Sequence, residues 1–219
     1  CKTFKHFNLP FGISSYIDSL LRQIATPNVN SGWVALSSDC KTIVWSVANH
    51  LSLPVEATIY SKDEGQSFQL CKVLDQKGVQ VFGITIKVFA DRVNPDLFYA
   101  FSEDSRIFIS VDGVCFNEKI VEDTFPKQCM SEIDSRNRIE IRAESGKEGT
   151  LWIAMNYDGL WKLTYKREED KLSIQRISSP GDSVFCIGLG IGEEGDYFRG
   201  SKTLYVAAII NGVYGFYRS

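Results

Sequence analysis

Short runs of β-branched and aromatic residues open near Ala57, Arg106, Gly159 and Gly212, so the chain repeats itself every ~50 residues. Each belongs to a set of runs split by Gly, Asp, Asn and Ser turns. The first set is Trp33–Ser37, Thr42–Val47, Ala57–Ser61 and Phe68–Val73. The second is Ile84–Ala90, Leu97–Phe101, Arg106–Ser110 and Cys115–Ile120, and the third is Arg138–Ala143, Leu151–Met155, Gly159–Tyr165 and Leu172–Ile177. A fourth holds Val184–Gly190, Thr203–Ile209 and Gly212–Tyr217. Four strands per repeat at this period mark β-propeller blades. The pattern predicts an all-β chain and one partial propeller domain over residues 1–219, with blades over roughly 31–77, 80–122, 136–178 and 183–219. That makes about three and a half to four blades of four antiparallel strands. Helical periodicity is weak everywhere except Tyr16–Ile24, which could form a short helix.

The turn after the third run of the first set reads Ser61-Lys62-Asp63-Glu64-Gly65-Gln66-Ser67-Phe68, an Asp box matched at every defined position. Asp63 can accept the backbone N–H groups of a tight turn, and Gly65 can take the positive φ it needs. Ser61 and Ser67 satisfy further backbone groups, and Phe68 plugs the hairpin from below. These tasks are structural. A second copy, Ser110-Val111-Asp112-Gly113-Val114-Cys115-Phe116, is one residue shorter and has Cys115 in place of Ser or Thr. In the third repeat Leu163-Thr164-Tyr165-Lys166 stands where the box would be.

Other chemistries find little support. The net charge of −3 and the mixed signs of Lys166–Lys171 speak against nucleic-acid binding. No apolar run approaches the ~20 residues of a membrane span. The chain begins at Cys1 and shows no signal peptide. Six cysteines without CxxC spacing and two histidines argue against zinc, and no other metal or cofactor is implied. An even cysteine count permits disulfides, while Cys71 and Cys186 lie in apolar runs where buried free thiols are expected. Gly188-Leu189-Gly190-Ile191-Gly192 is followed by no helix, so it fails as a dinucleotide loop.

Five stretches carry a family resemblance: SSDCKTIVWS (37–46), TIYSKDEGQSF (58–68), ADRVNPDLFYAF (90–101), ESGKEGTLWIA (144–154) and TLYVAAIINGVYGFYRS (203–219). The chain resembles the C-terminal propeller of the xyloglucan-active glucanases, oligoxyloglucan reducing-end-specific cellobiohydrolases included. The resemblance implies a secreted glycoside hydrolase of polysaccharide catabolism, with two seven-bladed propellers facing each other across a glucan cleft. It also implies an inverting mechanism, suited to two carboxyls ~6.5–9.5 Å apart. The family segments that carry the catalytic Asp pair are absent from this sequence, so a second propeller and both catalytic residues are expected outside it. Asp18 matches a family Asp with no catalytic role. Cys40 stands where the family usually has Gly, and a hairpin's worth of sequence is missing between Leu20 and Ser31.

In a propeller the loops between second and third strands lie on the face opposite the Asp boxes, the face that holds glucan in the resembling family. Here they are Val47–Glu56, Ser102–Ser105, Met155–Asp158 and Ile209–Asn211. Sugar-binding candidates in them are Asn49, His50, Asn156, Tyr157, Asp158 and Asn211, since sugars take aromatic faces plus hydrogen bonds. Asp158-Gly159 also reads as a hairpin turn. Glu56, Asp104 and Asp158 could face the cleft, but nothing in their spacing makes them an acid–base pair. Trp45, Trp152 and Trp161 read as core. The competing readings are a non-catalytic Asp-box module that binds glycan or protein, as sortilin-like receptors do, and a degenerate inactive copy.

Overall fold

A computed structural model describes residues 31–48, 57–81, 84, 86–102, 104–121, 125–126, 139–191 and 202–219. The candidate helix Tyr16–Ile24, together with Asp18, Cys1, Cys129, Asn49, His50 and Glu56, lies outside the described residues. Every described element is a strand, sixteen in all. The expected all-β architecture is therefore what the structure shows, with two of its four sheets four-stranded and antiparallel.

The first sheet is a meander of β1 (Ser31–Leu36), β2 (Ile43–Ala48), β3 (Ala57–Ser61) and β4 (Gln69–Leu70), in that order. The second runs β5-β9-β8-β7-β6, from β5 (Lys72–Leu74) through β9 (Cys115–Lys119), β8 (Ile107–Ser110) and β7 (Phe98–Ser102) to β6 (Ile86–Ala90). The third is a meander of β10 (Glu140–Ala143), β11 (Thr150–Ala154), β12 (Leu160–Lys166) and β13 (Lys171–Arg176). The fourth has β14 (Ser183–Ile191), β15 (Lys202–Ile210) and β16 (Val213–Arg218).

One difference from the sequence reading concerns Phe68–Val73, expected as one strand. It splits at Cys71, whose N–H still bonds Thr58 O at 2.8 Å. The next residues leave the first sheet and join the second, with β5 parallel to β9 in the register Lys72↔Cys115, Val73↔Phe116, Leu74↔Asn117. Cys71 is buried, and its thiol lies 3.7 Å from Gly113 O. Burial there, with Asp112 and Cys115 adding to it, pushes the thiol's pKa up. Cys186 corrects the expectation: it is exposed on β14, because strand alternation turns it away from the core that Val184 and Ile187 enter. Cys40, Cys71, Cys115 and Cys186 are all free thiols.

The chain divides into two compact units, one of Cys1–Ala90, Pro95–Ala100 and Phe108–Glu118, the other of Asp91–Asn94, Phe101–Ile107 and Lys119–Ser219. In the first, Ala35, Val44, Ile86, Val88, Phe98 and Phe116 form the core between two sheets. In the second, Ala154, Leu160, Val184, Ile187, Val206 and Ala208 do the same. Trp161 is buried core, as expected, while Trp45 and Trp152 are half-buried. Trp45 meets Phe68 edge-on, with ring centroids 6.4 Å apart.

The turn at Ser61–Phe68 is a dense local network. The Asp63 carboxylate accepts the Ser61 hydroxyl (2.7 Å), the Ser67 N–H (2.8 Å) and the Ser67 hydroxyl (2.5 Å). Ser61 Oγ accepts the Gly65 N–H at 2.8 Å, and Gly65 takes a φ of 87°. These bonds hold the Asp63 carboxyl at a pKa of about 2, with the Ser67 hydroxyl the largest cause. The shorter copy keeps the same logic with fewer partners. Asp112 accepts the Ser110 hydroxyl and the N–H groups of Val114 and Cys115, at 2.8 to 2.9 Å. Phe116 is fully buried beneath it.

The same Ser-x-Asp clasp occurs at two further turns. Ser37 donates to Asp39 at 2.6 Å, and Ser102 donates to Asp104. In each, a left-handed residue follows the Asp: Cys40 at φ 63° and Ser105 at φ 65°. Where the third repeat lacks the clasp, Tyr165 donates to Asp170 at 2.7 Å and Lys119 reaches the same carboxylate, so other side chains pin that hairpin.

Candidate functional site

The described candidates gather where β11, β12, β14 and β16 present their ends. Asn156 to Gly159 form a tight β11–β12 hairpin, closed by Met155 N–H to Gly159 O at 2.8 Å and Gly159 N–H to Asn156 O at 3.1 Å. Asn156 takes φ 48° and Gly159 φ 81°, both left-handed, as such a turn requires. A Cβ on Gly159 would collide with Ser178 Oγ, so the position accepts only glycine.

Asn156 is buried, and its carbonyl accepts the Val184 N–H at 2.7 Å. It thereby fastens the hairpin to the start of β14. Asp158 is half-buried, and its carbonyl accepts the Trp161 indole N–H at 2.8 Å. Tyr157, at the tip, is 67% exposed. Asn211 is exposed at the β15–β16 turn in a left-handed conformation (φ 53°). Its N–H donates to Asp182 Oδ1 at 3.0 Å, while Asp182 Oδ2 accepts the Ser179 N–H at 3.1 Å. The buried Asp182 carboxylate thus ties the β13–β14 connection to the β15–β16 turn.

Two aromatic residues join the candidates. Phe185 meets Tyr157 edge-on with centroids 6.2 Å apart, and meets Tyr214 at a tilt with centroids 6.3 Å apart. Phe185 gets there through a β-bulge. The β14–β15 register passes from Val184↔Ala208 to Cys186↔Ala207, leaving Phe185 the unpaired extra residue. Bulges re-aim side chains in this way. The result is a row of three rings, Tyr157, Phe185 and Tyr214, with Asn211 and Asp158 on the adjoining turns. Such a surface offers apolar ring area and hydrogen-bonding groups to a ligand with both kinds of face.

Asp104 takes no part in this cluster. Its carboxylate is held by the Ser102 hydroxyl and, at 2.8 Å, by Arg106 Nε. Among the described residues no three His, Cys, Asp or Glu side chains converge to hold a metal ion. Nor is any helix among them long and apolar enough to cross a membrane.

Sequence reasoning missed Phe185, Tyr214 and Asp182. Phe185 and Tyr214 read as ordinary strand residues, and no local signal marks the bulge. Asp182 follows Pro180-Gly181, a turn signal that locates the connection but not its partner 29 residues on.

No protein-family model matches the chain. Over 193 residues it is 29% identical to a xyloglucanase of a Paenibacillus species, covering 86% of the chain and 16% of that protein. Over 197 residues it is 30% identical to xyloglucanase Xgh74A of Acetivibrio thermocellus, covering 89% of the chain and 19% of that protein. The crystal structure of the Niastella koreensis GH74 enzyme superposes with a TM-score of 0.58 at 25% identity, over 85% of the chain and 23% of that enzyme. The chain therefore spans about a fifth of the length of these relatives. Nearly all of its own sequence aligns, and the sheets align with it. The chain is a homologue of the GH74 xyloglucanases.

Proposed function

We propose that the chain forms part of one wall of a polysaccharide cleft in a secreted glycoside hydrolase acting on xyloglucan or a related β-1,4-glucan. The row Tyr157–Phe185–Tyr214 carries this reading, because Tyr157 lies on the β11–β12 turn and Tyr214 just after the β15–β16 turn, the second-to-third-strand turns where the resemblance puts the glucan. The mechanism is inverting, and its catalytic Asp pair comes from outside these 219 residues, along with a second propeller. On this reading the chain supplies binding surface and not proton transfer, and the Ser61 and Ser110 turns are Asp boxes that fix hairpins.

Two outcomes follow. The purified chain is retarded in a native gel containing xyloglucan and releases no reducing sugar from it. Tyr157→Ala, at an exposed tip, abolishes the retardation without unfolding the chain. Equal mobility with and without polysaccharide contradicts binding. Release of reducing sugar contradicts the assignment of catalysis to residues elsewhere.

A further inference from the structure

The three rings of the aromatic row come from three separate elements, and one buried residue, Asp182, meets all of them. Tyr157 sits on the β11–β12 hairpin, Phe185 at the β14 bulge and Tyr214 just after the β15–β16 turn. The Asp182 carbonyl lies 3.3 Å from the place a Cβ on Gly159 would take, so its backbone packs on the β11–β12 hairpin. Its N–H donates to Ser179 O at 3.1 Å, closing the turn that leads into β14 three residues before Phe185. Its carboxylate accepts the N–H groups of Ser179 and, across 29 residues, Asn211.

The side chain of Asp182 matters differently to the three elements. The β11–β12 hairpin and β14 are joined backbone to backbone, by the Val184 N–H on Asn156 O at 2.7 Å. The β15–β16 hairpin forms through its own ladder, from Tyr205↔Arg218 to Ile210↔Val213. Its tip is another matter. The β14–β15 ladder ends at Ser183↔Ile209, so Ile210 to Val213 extend past it. Asn211 and Gly212 are both left-handed (φ 53° and 78°) and exposed, and nothing lies within 4 Å of where a Cβ on Gly212 would be. The bond from Asn211 N–H to Asp182 Oδ1, at 3.0 Å, is what joins this overhanging tip to the β13–β14 connection. Tyr214 follows the tip by two residues, with its ring centroid 6.3 Å from that of Phe185.

We propose that Asp182 is the positioning residue of the aromatic row: by holding the β15–β16 tip it keeps the Tyr214 ring against Phe185, and through that ring it sets the affinity of the surface for its ligand. The second half rests on the polysaccharide reading; the first does not. A binding surface needs its rings held by neighbouring bonds, since a contact that must be ordered on binding costs affinity. Ser179 and Asn211 are exposed, so water can take over both N–H groups when the carboxylate is removed. The fold therefore survives Asp182→Ala, while the placement of the tip does not.

NMR of the free chain reads the ring contact without a ligand. The expected result is nuclear Overhauser cross-peaks between the Phe185 and Tyr214 rings in the unsubstituted chain, lost in Asp182→Ala, with those between Tyr157 and Phe185 kept in both. Asp182→Asn, which fills the same space with one acceptor oxygen instead of two, shows them weakened. Titration with a xyloglucan-derived oligosaccharide reads the affinity. Asp182→Ala weakens binding about tenfold, the size of one lost ordered contact. The double variant with Tyr214→Ala binds no more weakly than Tyr214→Ala alone, because a residue acting through that ring then has nothing to act on. A general loosening of the structure would add its loss to that of Tyr214→Ala instead. Phe185–Tyr214 cross-peaks at full strength in both Asp182 variants overturn the proposal, and so do additive losses of affinity. If the unsubstituted chain binds no oligosaccharide, the polysaccharide reading fails, and the ring cross-peaks alone decide whether Asp182 positions the row.

Discussion

The carboxylate of Asp91 accepts the backbone N–H of Gly149 at 2.9 Å, joining turns 58 residues apart in sequence. Asp91 is 1% exposed, and its other oxygen accepts the N–H groups of Val93 and Asn94 at 2.8 and 2.9 Å. Asn94 then donates to the Glu148 carboxylate at 2.6 Å. The ADRVNP and GKEG stretches, noted first only as marks of resemblance, are therefore two sides of one latch.

Asp91→Ala leaves the buried N–H of Gly149 and the part-buried N–H groups of Val93 and Asn94 without their acceptor. Each such loss costs ~1–3 kcal/mol, and shared relaxation makes the sum less than additive. The expected destabilisation is about 3 kcal/mol in urea unfolding followed by tryptophan fluorescence. Asp91→Asn falls short of full rescue, because its amide offers one acceptor oxygen where the carboxylate offers two.

Gly149 is the other half of the latch. It has a φ of 76°, and a Cβ there would collide with the backbone carbonyl of Tyr165. The sheet cannot move that carbonyl without breaking the β11–β12 pairing. Gly149→Ala is expected to cost more than ~2 kcal/mol, through strain and lost ladder bonds together. A midpoint within experimental error of the unsubstituted chain would contradict the close approach.

Acid acts on the Ser61–Phe68 turn in a defined direction. Asp63 has a folded pKa of about 2, below the ordinary value of 3.8, because the Ser67 hydroxyl, the Ser67 N–H and the Ser61 hydroxyl all bond its charged form. A depressed carboxylate pKa stabilises the fold above the unfolded value and loses that stabilisation as pH falls toward the folded one. The contribution of this turn is thus complete at neutral pH and disappears between about pH 4 and pH 2. Thermal melts across that range show a smaller loss for Asp63→Asn, which has no charge to titrate there. Identical pH dependence in the two chains counts against the network.

Cys40 occupies a left-handed position in the Ser37–Thr42 turn, with φ 63° and an exposed thiol. The left-handed region costs an L-residue ~1–2 kcal/mol, and glycine gives back ~0.5–1 kcal/mol in unfolded-chain entropy. Cys40→Gly is expected to stabilise by up to ~1 kcal/mol, and Cys40→Val to destabilise, because β-branching is least tolerated there. Destabilisation by the glycine substitution would show that the thiol makes a contact that offsets the strain.

What the sequence disclosed follows from range. Strand alternation and the Ser61–Phe68 network depend on neighbours a few residues away, so both could be read from the chain. The clasps at Ser37 and Ser102 carried the same Ser-x-Asp signal but lacked the glycine that made Ser61 and Ser110 stand out. The departure of Lys72 from the first sheet, the re-aiming of Phe185 and the pairing of Asp91 with Gly149 are tertiary choices. A bulge depends on how two strands settle their register, and no local pattern announces it. For that reason Tyr157 was found as an exposed aromatic, while the rings beside it were not.

The central claim is that the aromatic row of Tyr157, Phe185 and Tyr214, beside the β11–β12 and β15–β16 turns, is a sugar-binding surface. Backbone amide chemical shifts, followed by NMR as a xyloglucan-derived oligosaccharide is added, test it most directly. The account predicts saturable shifts at Tyr157, Phe185, Asn211 and Tyr214, with the Ser61–Phe68 turn unmoved. No shifts at those four residues, or shifts centred on Ser61–Phe68, would contradict it.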